Sequence, residues 1–408
     1  FETEKAMTKD EFDQYSLMVQ ALMQHYLPRL ERSYWKCDAD NWQRDVTFYE
    51  LNKLMYGLVE YEADVTGACS TGCYDFQKPR GITTLTQWPD YKCPGYIEAC
   101  EASPKETFEF CFNENAMAPE TYSYISSDLM RRGTKEQCRD EKVHKVSSYT
   151  SGVFKCEYCA CLCHSEGAEA HRYLSLLPQV SNIDENEVIV GVKFVKHNRV
   201  LYLQTMKAPL LPFASVDTDQ AVWNELDELG LVPPDYHNFS GLYTFDHKHR
   251  EILMKELEVP AGTVLTGVKF IVKDGVPDLS IRYTPVDWTT GELNPAASLW
   301  ITEAHDAYDT NDMLYQNRLP DQCKTPSFID TASGQKFRFS TSAMELDGGQ
   351  HVLPYFDAQP VVPVSMVPLS GVGITHKGDD RCGGFISPVV FTVHEDYMFG
   401  ADSEVDPF

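Results

Sequence analysis

The chain has 408 residues, enough for two or three domains with substantial cores. Its 61 Asp and Glu against 35 Lys and Arg leave a net charge of −26, which argues against a nucleic-acid binder or a reader of anionic membranes. With 43% hydrophobic residues it is not a largely disordered chain, and no apolar run approaches the ~18 residues of a membrane span.

The sequence opens Phe1-Glu-Thr-Glu-Lys5, with neither an initiator Met nor an apolar leader. A mature chain looks like this after signal cleavage, as does a chain trimmed for expression. Thr8-x-x-Glu11 has the capping-box pattern, in which a hydroxyl and a carboxylate satisfy free N–H groups reciprocally. Phe12, Tyr15, Val19, Leu22 and Tyr26 then recur at spacings of three and four, predicting a helix that Pro28 kinks or ends. Leu51, Leu54, Met55 and Leu58 predict a second helix. Tyr124, Ile125 and Leu129, running into Arg131-Arg132-Gly133, predict a third with a C-cap glycine.

Cysteines punctuate the same stretch. The thirteen are Cys37, Cys69, Cys73, Cys93, Cys100, Cys111, Cys138, Cys156, Cys159, Cys161, Cys163, Cys323 and Cys382, and eleven of them precede residue 164. Such a load in a chain without a second metal knuckle points to disulfides in an oxidising compartment. Cys156-Glu-Tyr-Cys159-Ala-Cys161-Leu-Cys163-His164 could supply a tetrahedral zinc set, but disulfides are the simpler reading. Cys69-x3-Cys73 and Cys93-x6-Cys100 look like small disulfide-closed loops. Thirteen is odd, so at least one thiol is left over. Residues 1–165 are accordingly expected to form a helical, cysteine-rich domain.

The character changes after Pro178, where short Val, Ile, Thr, Phe and Tyr runs are split by Gly, Pro and Asp. Residues 166–400 are expected to form a β-rich domain, followed by an acidic tail at 401–408. Val188-Ile-Val-Gly191-Val-Lys-Phe194 is matched 76 residues on by Val264-Leu-Thr-Gly267-Val-Lys-Phe270, and more loosely by Pro368-Leu-Ser-Gly371-Val-Gly-Ile374. A glycine inside an apolar strand marks a bulge or a close backbone approach. Three copies suggest a pseudo-threefold β domain, a β-prism, ahead of a simple sandwich. The fold class expected is thus α+β. Trp223, Leu226 and Leu229, between Asp219 and Gly230, fit a short inserted helix. Asn238-Phe239-Ser240 is a glycosylation sequon in a turn-rich stretch. Cys323 and Cys382, if paired, would constrain the unfolded chain by roughly 4 kcal/mol.

Catalytic signatures are missing from the sequence: there is no G-x-S-x-G elbow, H-E-x-x-H helix, P-loop or dinucleotide fingerprint. No catalytic residue, metal site or cofactor is expected. His247-Lys-His249 could chelate a metal from one strand face, although its charged flanks read more simply as a solvated turn. His164 and His171 carry no clearer signal. The best candidate binding element is the loop from His376 to Phe385. There Asp379 and Asp380 could accept sugar hydroxyls, Arg381 lies beside them, and Phe385 could stack. The plainer reading is a disulfide-anchored turn.

The second half resembles an uncharacterised family of secreted insect proteins. The matching stretches are Val190-Gly-Val-Lys-Phe-Val-Lys-His-Asn-Arg-Val-Leu-Tyr-Leu-Gln204, Pro260-Ala-Gly-Thr-Val-Leu-Thr-Gly-Val-Lys-Phe270, Pro354-Tyr-Phe-Asp-Ala-Gln-Pro360, and Pro368 to Gly378 with Gly383-Gly-Phe385. They span residues 175–395 and are similar to the mosquito salivary proteins that interact with the labrum. The resemblance implies secretion into saliva, no known catalysis, and a protein partner in the mouthpart cuticle. It brings no catalytic residues. Composition and resemblance together set the expectation: a secreted, non-enzymatic protein that binds a basic or cuticular protein partner, without nucleic acid or membrane insertion. A lectin-like module and a hydrolase lacking a recognised motif are the alternatives.

Overall fold

The computed structural model describes residues 9, 14–15, 32–51, 54–61, 69, 73, 96–102, 107–113, 122–127, 131–133, 135–138, 142–151, 153–164, 170–226, 240–246, 248–302, 310–312, 323–339, 355–379 and 383–393. The described part of the protein is β-rich. Among the described residues 59% lie in strands and 7% in helices, and no helix reaches seven residues. This overturns the expected α+β class and its helical N-terminal domain. The Leu51–Leu58 stripe is largely the strand Met55–Tyr61, and the Tyr124 stripe is the strand Tyr122–Ser127. In both, a short apolar run satisfied the helical spacing while aromatic and β-branched side chains favoured an extended chain. Gly133 has a φ of +73° but caps no helix. It lies in the strand Arg131–Gly133, so close to Ser123 that a Cβ would meet that residue's carbonyl oxygen at 2.3 Å. Trp223 likewise lies in a two-residue strand, preceded by a 3-10 turn at Thr218–Gln220 whose cap is Asp217. Lys9, Gln14 and Tyr15 are helical. The remainder of the predicted first helix, with Leu229, Gly230 and the acidic tail, lies outside the described residues.

Two of the four apolar clusters among the described residues form the main cores. Tyr56, Val59, Ile97, Phe108, Phe110, Tyr122 and Ile125 form one with five cysteines. It lies between a sheet of Met55–Tyr61, Tyr158–His164 and Tyr96–Ala102 and a sheet of Arg131–Gly133, Tyr122–Ser127, Thr107–Phe112 and His144–Ser147. A buried bond from the Val59 N–H to the Tyr122 hydroxyl, 3.0 Å, joins the two. The larger core takes side chains from Leu174 to Val390, and also Phe48, Leu51 and Leu54. Ser33–Tyr34 pairs with Gly383–Thr392, and Phe48–Glu50 with Tyr355–Asp357. The segment before Met55 therefore packs with the C-terminal half, across the expected boundary at 165.

Three long antiparallel hairpins build that half: Glu187–His197 with Val200–Leu211, Thr263–Lys273 with Val276–Asp287, and Leu369–Asp379 with Gly383–Thr392. Each has a register break at the same place, between Ile189 and Gly191, Leu265 and Gly267, and Leu369 and Gly371. The bulge lets a foreign strand approach. Gln179–Val180, which precede the first hairpin, pair with the second at Gly267 and Val268. Leu257 and Glu258 precede the second and pair with the third at Val372 and Gly371. Val361 precedes the third and bridges to the first at Val192. The hand-off is cyclic, so each repeat completes the next one's sheet. A Cβ on Gly371 would meet the Leu257 carbonyl oxygen at 2.4 Å, which is why this position must be glycine.

Candidate functional site

The expected ligand loop proves to be the tip of the third hairpin, and most of its described side chains point into the protein. His376 is buried. Its Nδ1 lies 2.7 Å from the Asp330 carboxylate, its backbone N–H donates to Thr331 Oγ1 at 2.9 Å, and its ring stacks on Phe337 at 4.2 Å. Lys377 is fully buried beside it. Its ammonium donates to the Lys36 carbonyl at 2.8 Å, pairs with Asp357 at 2.7 Å and Asp38 at 3.5 Å, and lies over the Trp42 ring. Burial pushes the Asp357 carboxyl up, against the lowering effect of Lys377 and the Gln359 bonds. Two charges placed so deep persist only because each is paired and hydrogen-bonded.

Phe385 is also buried. It stacks on Trp42 with centroids 4.0 Å apart, and Phe48 and Tyr355 meet it edge-on. It cannot serve as the sugar-stacking ring expected of it, because the core already covers it. Asp379 closes the strand, opposite Gly383. Asp380, Arg381 and Cys382 lie outside the described residues, as does Asn238 of the sequon. Sequence reasoning reached His376 and Phe385 but missed Asp38, Trp42, Asp330 and Asp357, which come from segments far away in the chain.

The sulfurs are bonded to one another. Cys159, Cys161 and Cys163 alternate along Tyr158–His164, so all three fall on one buried face. Cys159 is joined to Cys73, Cys161 to Cys100, Cys156 to Cys69, and Cys111 to Cys138. Cys163 and Cys323 are disulfide-bonded as well. The expected small loops closing on Cys69–Cys73 and Cys93–Cys100 are replaced by long-range staples, because strand alternation lines these thiols up facing distant partners. Cys37 is a free, exposed thiol, and Cys93 and Cys382 lie outside the described residues. Among the described residues no group of three or more His, Cys, Asp and Glu converges as a metal site. His249 instead closes a turn on Asp246, its Nδ1 lying 3.0 Å from the carboxylate, while His247 lies outside the described set.

Two segments of the chain carry acids and no cations of their own. No Lys or Arg occurs between Lys207 and Lys248, a span holding Asp217, Asp219, Glu225, Asp227, Glu228, Asp235 and Asp246. Between Arg282 and Arg318 there is again none, against Asp287, Glu292, Glu303, Asp306, Asp309 and Asp312. The fold brings the two spans together where they leave their hairpins: the Phe213 N–H donates to the Trp288 carbonyl at 2.8 Å. Nearby, Asn186 ties both down through Leu210 and Gly291 carbonyls at 3.0 and 2.8 Å.

A family profile described as a domain of unknown function (DUF4803) matches residues 1–205. The chain belongs to this family. The match covers the disulfide-laddered strands and most of the first hairpin, and shares only Val190–Gln204 with the stretches that carry the salivary resemblance. No curated protein matches the chain. The disulfides of this DUF4803 protein are consistent with an extracellular location. Among its described residues no helix is long and apolar enough to cross a membrane.

Proposed function

We infer that the protein is a secreted, non-enzymatic binding protein whose partner is a basic protein. The observation that carries this reading is the juxtaposition of the two cation-free spans, whose turns meet at the Phe213–Trp288 hydrogen bond and bring Asp217, Asp219, Asp287 and Glu292 onto neighbouring turns of a chain with net charge −26. Such an acidic surface attracts cationic partners and repels anionic ones. Supporting it, the described polar side chains of the candidate loop are bonded within the fold, His376 to Asp330 and Lys377 to Asp357. A salivary setting and a partner in the mouthpart cuticle extend the same proposal, on the resemblance alone.

The test is surface plasmon resonance of the full chain against a partner captured from its source tissue, across a salt series. Exposed charges steer encounter and are screened beyond about 8 Å at physiological salt, so the on-rate should fall several-fold with little change in the off-rate. An on-rate indifferent to salt would leave the acidity with a solubility role only. Glycan-array binding, or turnover in a broad hydrolase screen, would favour the lectin or the enzyme instead.

A further inference from the structure

We propose that the turn Leu211-Pro212-Phe213-Ala214 is an apolar anchor that engages a basic protein segment carrying apolar side chains. This deepens the function proposed above and rests on it. Single exposed apolar residues are ordinary on protein surfaces. Three observations set this one apart.

The first is backbone conformation. Phe213 and Ala214 have φ of 59° and 57°, the left-handed region that favours Gly or Asn. Neither is either. The internal repeat supplies the control. At the corresponding exit of the second hairpin the chain uses Asp287-Trp288-Thr289-Thr290-Gly291, with a glycine at +75° and the large ring of Trp288 buried. The second hairpin, with one more residue in its turn, thus closes on a glycine and keeps its aromatic inside. The first hairpin instead holds a strained turn with its aromatic outside, 75% exposed, next to Leu211 at 41%. Strain retained where the other repeat closes on a glycine points to use.

The second is rigidity. The Phe213 N–H is held by the Trp288 carbonyl, and Gly291 packs so tightly that a Cβ there would lie 2.6 Å from the Leu211 carbonyl oxygen. Asn186 ties Leu210 to Gly291 and accepts the Leu293 N–H at 3.0 Å. A ring presented on so fixed a backbone loses little freedom on binding.

The third is charge. Asp217 and Asp219 follow the turn, Asp287 and Glu292 flank its bonded neighbour, and neither span contains a Lys or Arg. A second copy of this chain would bring the same excess of carboxylates, and an anionic lipid surface would be repelled. A cationic protein segment meets both the ring and the rim.

Two peptides of equal length and positive charge serve as probes in fluorescence polarisation, one of Lys and Leu and one of Lys and Gly. The full chain should bind the Lys–Leu peptide at least tenfold more tightly at physiological salt. Phe213→Asn should reduce that preference to less than twofold. Because Asn adopts positive φ readily, the variant should melt no lower than the parent, which separates lost binding from lost folding. Equal affinity for both peptides, or a preference that survives Phe213→Asn, overturns the anchor. If both peptides still bind with strong salt dependence, the charge-based function stands without it. If neither binds, both readings fall. Self-association or binding to anionic vesicles that Phe213→Asn abolishes would assign the ring to another occupant and also overturn the proposal.

Discussion

Five of the fourteen side chains in the smaller core are cysteines, whereas the thirty-one of the larger core include none. The two regions face the same demand, holding short strands from distant parts of the chain in register, and meet it differently. Between Met55 and His164 the strands average only a few residues, so covalent bridges hold what apolar burial cannot. From Tyr173 onward, three hairpins with strands of ten to twelve residues share one core, and each lends a strand to the next. The comparison teaches that the cyclic exchange does the work of cross-links: it ties residues 179, 258 and 361 into sheets belonging to other repeats.

The largest expected effect follows directly. The staples Cys69–Cys156 and Cys73–Cys159 span 87 and 86 residues, and loops of that length constrain the unfolded chain by about 4–5 kcal/mol each on the chain-entropy account. Partial reduction followed by limited proteolysis and mass spectrometry should therefore cut residues 55–164 first and leave the three hairpins intact. Should the hairpin half be degraded first, or both halves together, the bridges are not what holds the smaller core.

A smaller effect tests the exchange itself. Alanine at each bulge glycine adds one methyl group where a foreign strand passes. At Gly371 it meets backbone, the Leu257 carbonyl oxygen at 2.4 Å, which cannot yield without breaking the pairing. At Gly191 the nearest atom is the Val362 Cγ2 at 2.7 Å, and at Gly267 the passing strand's nearest atom is the Val180 Cγ1 at 3.1 Å, beside the Arg282 Cβ of the hairpin's own second strand at 2.9 Å. Overpacking of this kind costs about 1–3 kcal/mol, so Gly371→Ala should lie at the upper end and the other two near the lower. Urea denaturation of the three variants ranks them. Equal losses would mean that the three positions are not distinguished by what passes over them.

How much of this was legible follows from the same residues. Gly-Val-Lys-Phe at 191 and 267 revealed the repeat and its bulge because the residues are identical and a strand glycine is unusual. The hand-off was not legible, since two of its lending segments are a two-residue strand and a single bridge, and the third, Glu251–Glu258, shows in sequence no sign of which hairpin it joins. Leu51, Leu54, Met55 and Leu58, and Tyr124 with Ile125, misled because runs this short fit a helix and a strand equally well. The Cys159-x-Cys161-x-Cys163 alternation could have signalled a strand, yet choosing disulfides over zinc for it rested on residue type and left the period of two unused. His376 and Phe385 looked available because the acids and rings that cover them, Asp330, Phe337 and Trp42, are remote in sequence. Phe213 was hidden for the opposite reason: Leu210-Leu-Pro-Phe-Ala214 reads as buried chain, and only the structure shows its ring outside.

The smallest expected effect concerns a pair that the repeat keeps. Lys193 lies over Trp223 at 4.1 Å from the ring centroid, and Lys269 over Trp300 at 4.2 Å. The lysines are 76 residues apart and the tryptophans 77, so the exits of both hairpins preserve one contact across a single-residue insertion. Burial pushes the Lys193 ammonium pKa down, so the contact forms in a partly desolvated setting, where a cation over an indole contributes about 0.5–2 kcal/mol. The third hairpin has Gly373 at the corresponding place and so lacks the lysine. Double-mutant cycles with Lys→Met and Trp→Leu at each site should give coupling energies of about 1 kcal/mol that agree between the two repeats. A coupling present in only one would show that the repeated geometry is packing alone: Trp300 also sits over Gly267, where its Cη2 would lie 3.0 Å from an added Cβ, and could remain in place without its lysine.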